Sequence, residues 1–110
     1  MTTDSASLLH LIATIRPKTE HAHDARNAIL SLMTVTRGES GCHRFDLYQS
    51  PDGLTLYLHE IWENADALRD HHAADYTTAV FDDYRNWLQE PPEIQELHPV
   101  DCAPADGRGG

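Results

Sequence analysis

The chain is poor in the patterns that mark the common chemistries. Its two cysteines, Cys42 and Cys102, are far apart. That spacing excludes a Cys-x-x-Cys redox pair or zinc ribbon, and free thiols are expected in a reducing compartment. Basic residues are scarce, with 8 Lys and Arg against 18 Asp and Glu for a net charge of -10. Most of that excess lies in the second half, where residues 56–110 hold three basic and twelve acidic groups. A nucleic-acid partner needs a basic footprint, so none is expected. No apolar run approaches the roughly 18 residues of a membrane span, and no membrane association is expected. The opening Met1-Thr2-Thr3-Asp4-Ser5-Ala6-Ser7 has no basic flank of a signal peptide, so a cytoplasmic protein is expected. A glycine-rich phosphate loop is also missing, which disfavours nucleotide binding.

What is present is a run of alternating elements. At 110 residues the chain suggests one domain that would benefit from sharing a core with a second copy. Residues 1–7 read as a flexible N-terminus and 101–110 as a disordered tail. Between them, Leu8–Ile15 reads as a buried central strand stopped by Pro17. Thr19 is an expected N-cap for one helix of about 17 residues, because Ala22, Ala25, Ile29, Leu32 and Thr36 recur at spacings of three and four. Gly38 and Gly41 end it. Cys42–Gln49 alternates, with His43, Phe45 and Leu47 facing one way. Pro51-Asp52-Gly53 makes a turn. Leu54–Trp62 then places Leu56, Leu58, Glu60 and Trp62 on one face, and Tyr57, His59 and Ile61 on the other.

Asn64 caps a short helix to His71 or His72. A longer helix follows, striped by Tyr76, Val80 and Tyr84 with Phe81 beside them, and Pro91-Pro92 breaks it. Glu93–Val100 is an edge-like last strand. The order β-α-β-β-α-α-β is that of an α+β, ferredoxin-like split βαβ fold with an antiparallel sheet and helices on one face. The second face is also apolar, so a homodimer packed sheet to sheet is expected.

Arg37-Gly38-Glu39-Ser40-Gly41-Cys42, Phe45, Glu60-Ile61-Trp62, and Ala67-Leu68 followed by His71 together resemble the antibiotic biosynthesis monooxygenase domain family. The resemblance covers roughly residues 8–100. It implies a dimeric α/β barrel made of two ferredoxin-like subunits. Members it resembles include cofactor-independent monooxygenases of phenols and quinols, haem-degrading proteins and isomerases, so the fold does not settle the chemistry. The haem-degrading branch uses an asparagine on the first strand, and Leu8–Ile15 has none, which disfavours haem. A second histidine found in many members, five positions after the first, is Tyr76 here.

Oxygenation without a cofactor must draw electrons from the substrate. The protein must then supply a dry aromatic pocket, a base and hydrogen-bond donors. His71 is the candidate base. Trp62 is a candidate for stacking on the ring and offering its indole N–H. Glu60 is a candidate for orienting a histidine or holding a proton. Tyr76, Tyr84, Phe81 and His10 are candidate substrate-binding residues. Each also has a structural reading: Trp62 as packing, His71 as a helix-end or dimer contact, Glu60 as the partner of Arg37 or Arg44, and both tyrosines as core. No metal site is expected, because His59-Glu60-Ile61-Trp62-Glu63 sits on a strand and lacks the closing histidine of a metalloprotease motif. Two other functions stay open: a non-catalytic dimer binding a small hydrophobic ligand, and a small-metabolite isomerase.

Overall fold

A computed structural model describes residues 8–102. The expectations for residues 1–7 and 103–110 lie outside the described residues. The elements run β1 (Leu9–Ile15), a 3-10 turn (Thr19–His21), α1 (Ala22–Leu30), α2 (Met33–Arg37), β2 (Cys42–Gln49), β3 (Leu56–Trp62), α3 (Ala65–Ala73), α4 (Asp75–Trp87) and β4 (Glu93–Leu97). The four strands form one open antiparallel sheet in the order β2-β3-β1-β4. This is the α+β, ferredoxin-like arrangement expected from the sequence.

The strand period of two divides the sheet into unlike faces. Leu11, Ala13 and Ile15 of β1, Phe45 of β2, and Leu56, Leu58 and Trp62 of β3 are buried against Ala25, Ile29 and Leu32 and against Val80, Tyr84 and Leu88. Tyr84 ties α4 to α1 by donating its hydroxyl to the Ala25 carbonyl at 2.8 Å. The opposite face carries His10, Ile12, Tyr57, His59 and Ile61, together with Arg44 and Asp46 of β2.

Several local expectations are corrected. The single 17-residue helix is two helices, α1 and α2, preceded by the 3-10 turn. Ser31 ends α1, and its hydroxyl bonds the Ala28 carbonyl at 2.6 Å. Such back-bonding competes with the helical ladder and bends it. Thr19 does not cap a helix; it lies within the 3-10 turn, whose preceding residue Lys18 makes no side-chain cap. β3 starts at Leu56, because Leu54 still belongs to the turn, where its N–H donates to Asp52 Oδ1 at 3.0 Å. Gly53, at φ 75°, supplies the left-handed position that turn requires.

His43 does not share the buried face with Phe45. The register shifts between Cys42 and Arg44, where a β-bulge displaces His43, which is exposed and hydrogen-bonded to Glu63 at 2.9 Å. A bulge inserts one residue and re-aims its neighbours, which alternation alone does not foresee. The last strand is shorter than expected, ending at Leu97.

Gly41 matters for a reason other than stopping a helix. A Cβ built there would lie 2.4 Å from Ala67 Cβ. Only glycine lets the start of β2 approach α3 this closely. Asn64 caps α3, with its side chain accepting from Ala67 N–H at 2.9 Å. These two features seat α3, and therefore His71, against the end of the sheet.

Candidate active site

β3 contributes Glu60 and Trp62 from its buried face, two residues apart, so their side chains stand side by side. The Trp62 indole N–H donates to Glu60 Oε1 at 2.9 Å, and Trp62 is fully buried. α3 brings His71 over the indole, with ring centroids 4.7 Å apart and tilted by 31°. The Phe45 ring meets His71 edge-on at 5.5 Å. Phe45 and Trp62 thus hold the imidazole from two sides.

The partner that orients His71 was not singled out from the sequence. His71 Nδ1 lies 2.9 Å from Glu39 Oε2, and the Tyr76 hydroxyl donates a short hydrogen bond to the same oxygen. Because Tyr76 uses its own proton there, a carboxylate at Glu39 is best satisfied with a second proton on Nδ1. Nε2 is then the basic nitrogen of the ring. A carboxylate that orients a histidine in this way is the second half of many general-base pairs. Glu39 sits in the turn between Gly38 and Gly41, 32 positions before His71, and nothing local to that turn announces the contact.

Glu60 lies in an unfavourable setting for a charge. Burial pushes its carboxyl up from the usual range to about 7, the Trp62 N–H acts against that rise, and the Glu39 charge adds to it. Cys42 is likewise pushed up to about 11 by burial and by Glu39 and Glu60. That holds its sulfur as an inert thiol at neutral pH.

Glu60 and His71 both line one pocket between the sheet and the helices, with Phe45, Thr77, Phe81 and Tyr84 also in its wall. Its interior is tight: the centre of a water molecule has about 40 Å³ to move in. Room of that size holds roughly two or three waters. His72 also lines it, its ring edge-on to Phe81 at 5.6 Å, and burial followed by its neighbour His71 lowers its pKa.

The sequence candidates therefore divide. Glu60, His71, Phe81 and Tyr84 line the pocket, whereas Trp62 backs it from behind the imidazole with its N–H already given to Glu60. The Tyr84 hydroxyl is used by Ala25. Tyr76 is outside the lining, its hydroxyl on Glu39, which pushes its pKa up to about 12. His10 pairs across the sheet with Ile61 and Leu97, so it lies on the opposite face from the pocket. Glu60 bonds neither Arg37 nor Arg44; both guanidinium groups bond Asp46. Among the described residues no group of three or more His, Cys, Asp or Glu side chains is placed to hold a metal ion, and no helix is long and apolar enough to cross a membrane.

An open ferredoxin-like sheet, with a buried carboxyl and a carboxylate-oriented imidazole in one pocket between it and its helices, defines a small α+β domain. A family model described as "Antibiotic biosynthesis monooxygenase" matches residues 8–91, and the chain belongs to that family. It is 35% identical over 86 residues to the Mycobacterium tuberculosis protein named "Putative monooxygenase Rv0793", spanning 74% of this chain and 85% of that one. The solved structure of Rv0793 superposes with a TM-score of 0.82, covering 89% of this chain and all of its own at 30% identity. The structure of PA3566 from Pseudomonas aeruginosa is similar, with a TM-score of 0.81 at 27% identity over 90% of this chain and all of its own.

Proposed function

We propose that the protein is a cofactor-independent monooxygenase that oxidises a small phenolic or quinol-like substrate with O2. The observation that carries this reading is the pocket that holds the Glu60 carboxyl and the Glu39-oriented His71 together. Family membership and the name of the mycobacterial relative support the reaction class.

In this reading His71 Nε2 takes the hydroxyl proton of the substrate. The resulting phenolate is electron-rich enough to reduce O2 by one electron, and the radical pair combines to a carbon-bound peroxide. His71 returns the proton it took to the outer peroxide oxygen and then removes the hydrogen of the peroxide-bearing carbon as a proton; the C–H electron pair forms the new C=O as the O–O bond breaks, and the outer oxygen leaves as water. The substrate supplies both pairs of electrons: O2 takes four, two in the new C=O and two in the water. Burial pushes the Glu60 carboxyl up to about 7, which lets it carry a proton at far higher pH than an exposed glutamate and suits it to hand that proton to the departing oxygen. The apolar wall keeps water from competing.

Oxygen uptake by the purified protein with a panel of quinols is the test. Uptake that is lost in His71→Ala and Glu60→Gln supports the reading; equal uptake in all three proteins overturns it. Substrate turnover without oxygen consumption would instead indicate the isomerase reading.

The quaternary proposal is a homodimer packed through the outer sheet face. Tyr48 at 57%, Tyr57 at 38% and Leu97 at 37% exposure lie on that face beside Ile12 and Ile61. A second copy would bury them and close the two open sheets into a barrel. A monomeric mass by light scattering at micromolar concentration would overturn this.

A further inference from the structure

Thr77 carries a hydroxyl in the pocket lining that nothing above puts to use. It lies in the first turn of α4 and is 4% exposed. Its hydroxyl is buried with no hydrogen-bond partner among the described residues. A buried hydroxyl normally finds a partner, often the carbonyl three or four residues back, and leaving it unpaired costs free energy. Such a cost is recovered when a ligand brings the missing oxygen or proton. Among the described residues one other buried hydroxyl is in the same condition: Thr36 on α2, which does not line the pocket. The two threonines therefore separate an unpaired hydroxyl in general from one at this wall.

The rest of the lining limits the ligand. α4 supplies Thr77 and α3 supplies His71, the sheet supplies Glu60, and most of the remaining wall is apolar. The open interior admits only a few waters, so an aromatic ring must displace side chains as it enters. Phe81 and Pro92 are only half-buried and Ile94 is 47% exposed, so this side of the lining borders solvent. One ring carrying an oxygen substituent satisfies the polar groups and the apolar wall together, whereas a fused multi-ring system would have to open most of the pocket.

We propose that Thr77 binds the oxygen substituent of a single-ring phenol held in this pocket. The inference rests on the phenolic reading above, but it concerns binding and needs no turnover. The test uses phenol and toluene, which match in shape and differ in the hydroxyl, under anaerobic conditions. Binding is followed by calorimetry and, in a Trp87→Phe background that leaves Trp62 behind His71 as the sole indole, by fluorescence. Four proteins are compared: wild type, Thr77→Val, Thr77→Ser and Thr36→Val.

The expected result is that Thr77→Val weakens phenol about tenfold, the effect of one hydrogen bond, and leaves toluene unchanged. Thr77→Ser keeps the phenol affinity, and Thr36→Val behaves as wild type. The proposal is overturned if Thr77→Val binds phenol like wild type, if it loses both ligands equally, if Thr36→Val has the same effect, or if neither ligand binds the wild type. Thr77-dependent phenol binding without oxygen uptake from any quinol would sustain this inference and remove the oxygenase reading, so the two can fail separately.

Discussion

On β3, His59 and Glu60 are neighbours in sequence that face opposite sides of one sheet. Burial suppresses the charge of both. It raises the Glu60 carboxyl to about 7, and it lowers the His59 imidazole with the help of the Arg44 charge. Their surroundings differ. Glu60 faces a pocket shared with His71, in an apolar wall beneath the helices. His59 lies across from Asp46 on the open face, near Arg44 and His10. The same physics thus raises a carboxyl beside a pocket on one face and lowers an imidazole on the open face. A perturbed ionisation by itself does not distinguish a reactive site from an interface; the cavity does.

Substitutions on the two faces should therefore separate turnover from assembly. The largest effect is expected at His71. His71→Ala should lower oxygen uptake by about 10²–10⁴-fold, the usual contribution of a positioned acid or base, with the molecular mass by light scattering unchanged. In the wild type, uptake should fall as pH rises through about 7, because Glu60 then loses the proton that the proposed reaction draws on. Trp62→Phe removes the hydrogen bond that holds the Glu60 pKa down, so it should move this limb to higher pH.

The next effect concerns stability and has opposite signs on the two faces. A carboxyl raised from 4.5 to about 7 keeps its proton more tightly in the folded state. Stability therefore falls as pH rises across that window, by about 3 kcal/mol once above it. Urea titrations of Glu60→Gln should show that this alkaline loss is gone. His59 has a lowered folded pKa, so the unfolded chain binds its proton more tightly and stability falls as pH drops below 6.5. His59→Gln should flatten the acid side instead. Loss of the same limb in both variants would erase the contrast between the faces.

Gly41→Ala should cost about 1–3 kcal/mol, as overpacking does, because its Cβ would collide with Ala67 Cβ. Ala67→Gly in the same chain should recover much of that loss in thermal melts. On the open face, Tyr57→Lys should shift the mass towards monomer while the pocket still binds phenol; an unchanged mass would argue against this face as the interface. The smallest change is expected for Tyr76→Phe. It removes one hydrogen bond to Glu39, worth about 1 kcal/mol, and should alter the pH profile only slightly.

The fold was readable because its signals are local and repeated. Alternation along β3, the Asn64 cap, the Pro51-Asp52-Gly53 turn and the stripe on α4 each act within a few residues. The errors fell where one side chain redirects the backbone: Ser31 dividing a helix, and the bulge that turns His43 outwards. The site was readable in composition but less so in roles. Glu60 and His71 face one pocket, but Trp62 supports them from behind and Tyr76 braces a carboxylate. His10 lies on the other face. Glu39 and Thr77 were missed, because an acidic turn residue and a helical threonine carry no signal of what they will face.

By itself the sequence determined the element order, the antiparallel sheet with its buried strand face, and the residue types available for proton transfer, since periodicity, caps and turn chemistry operate over short separations. Only the tertiary structure decided which of those residues meet. It brought Glu39 to His71, set Trp62 against Glu60 inside the core, and left the Thr77 hydroxyl unpaired in the pocket wall. Those outcomes depend on how α3 and α4 seat on the sheet, and that seating depends on packing between distant segments, including the missing Cβ at Gly41.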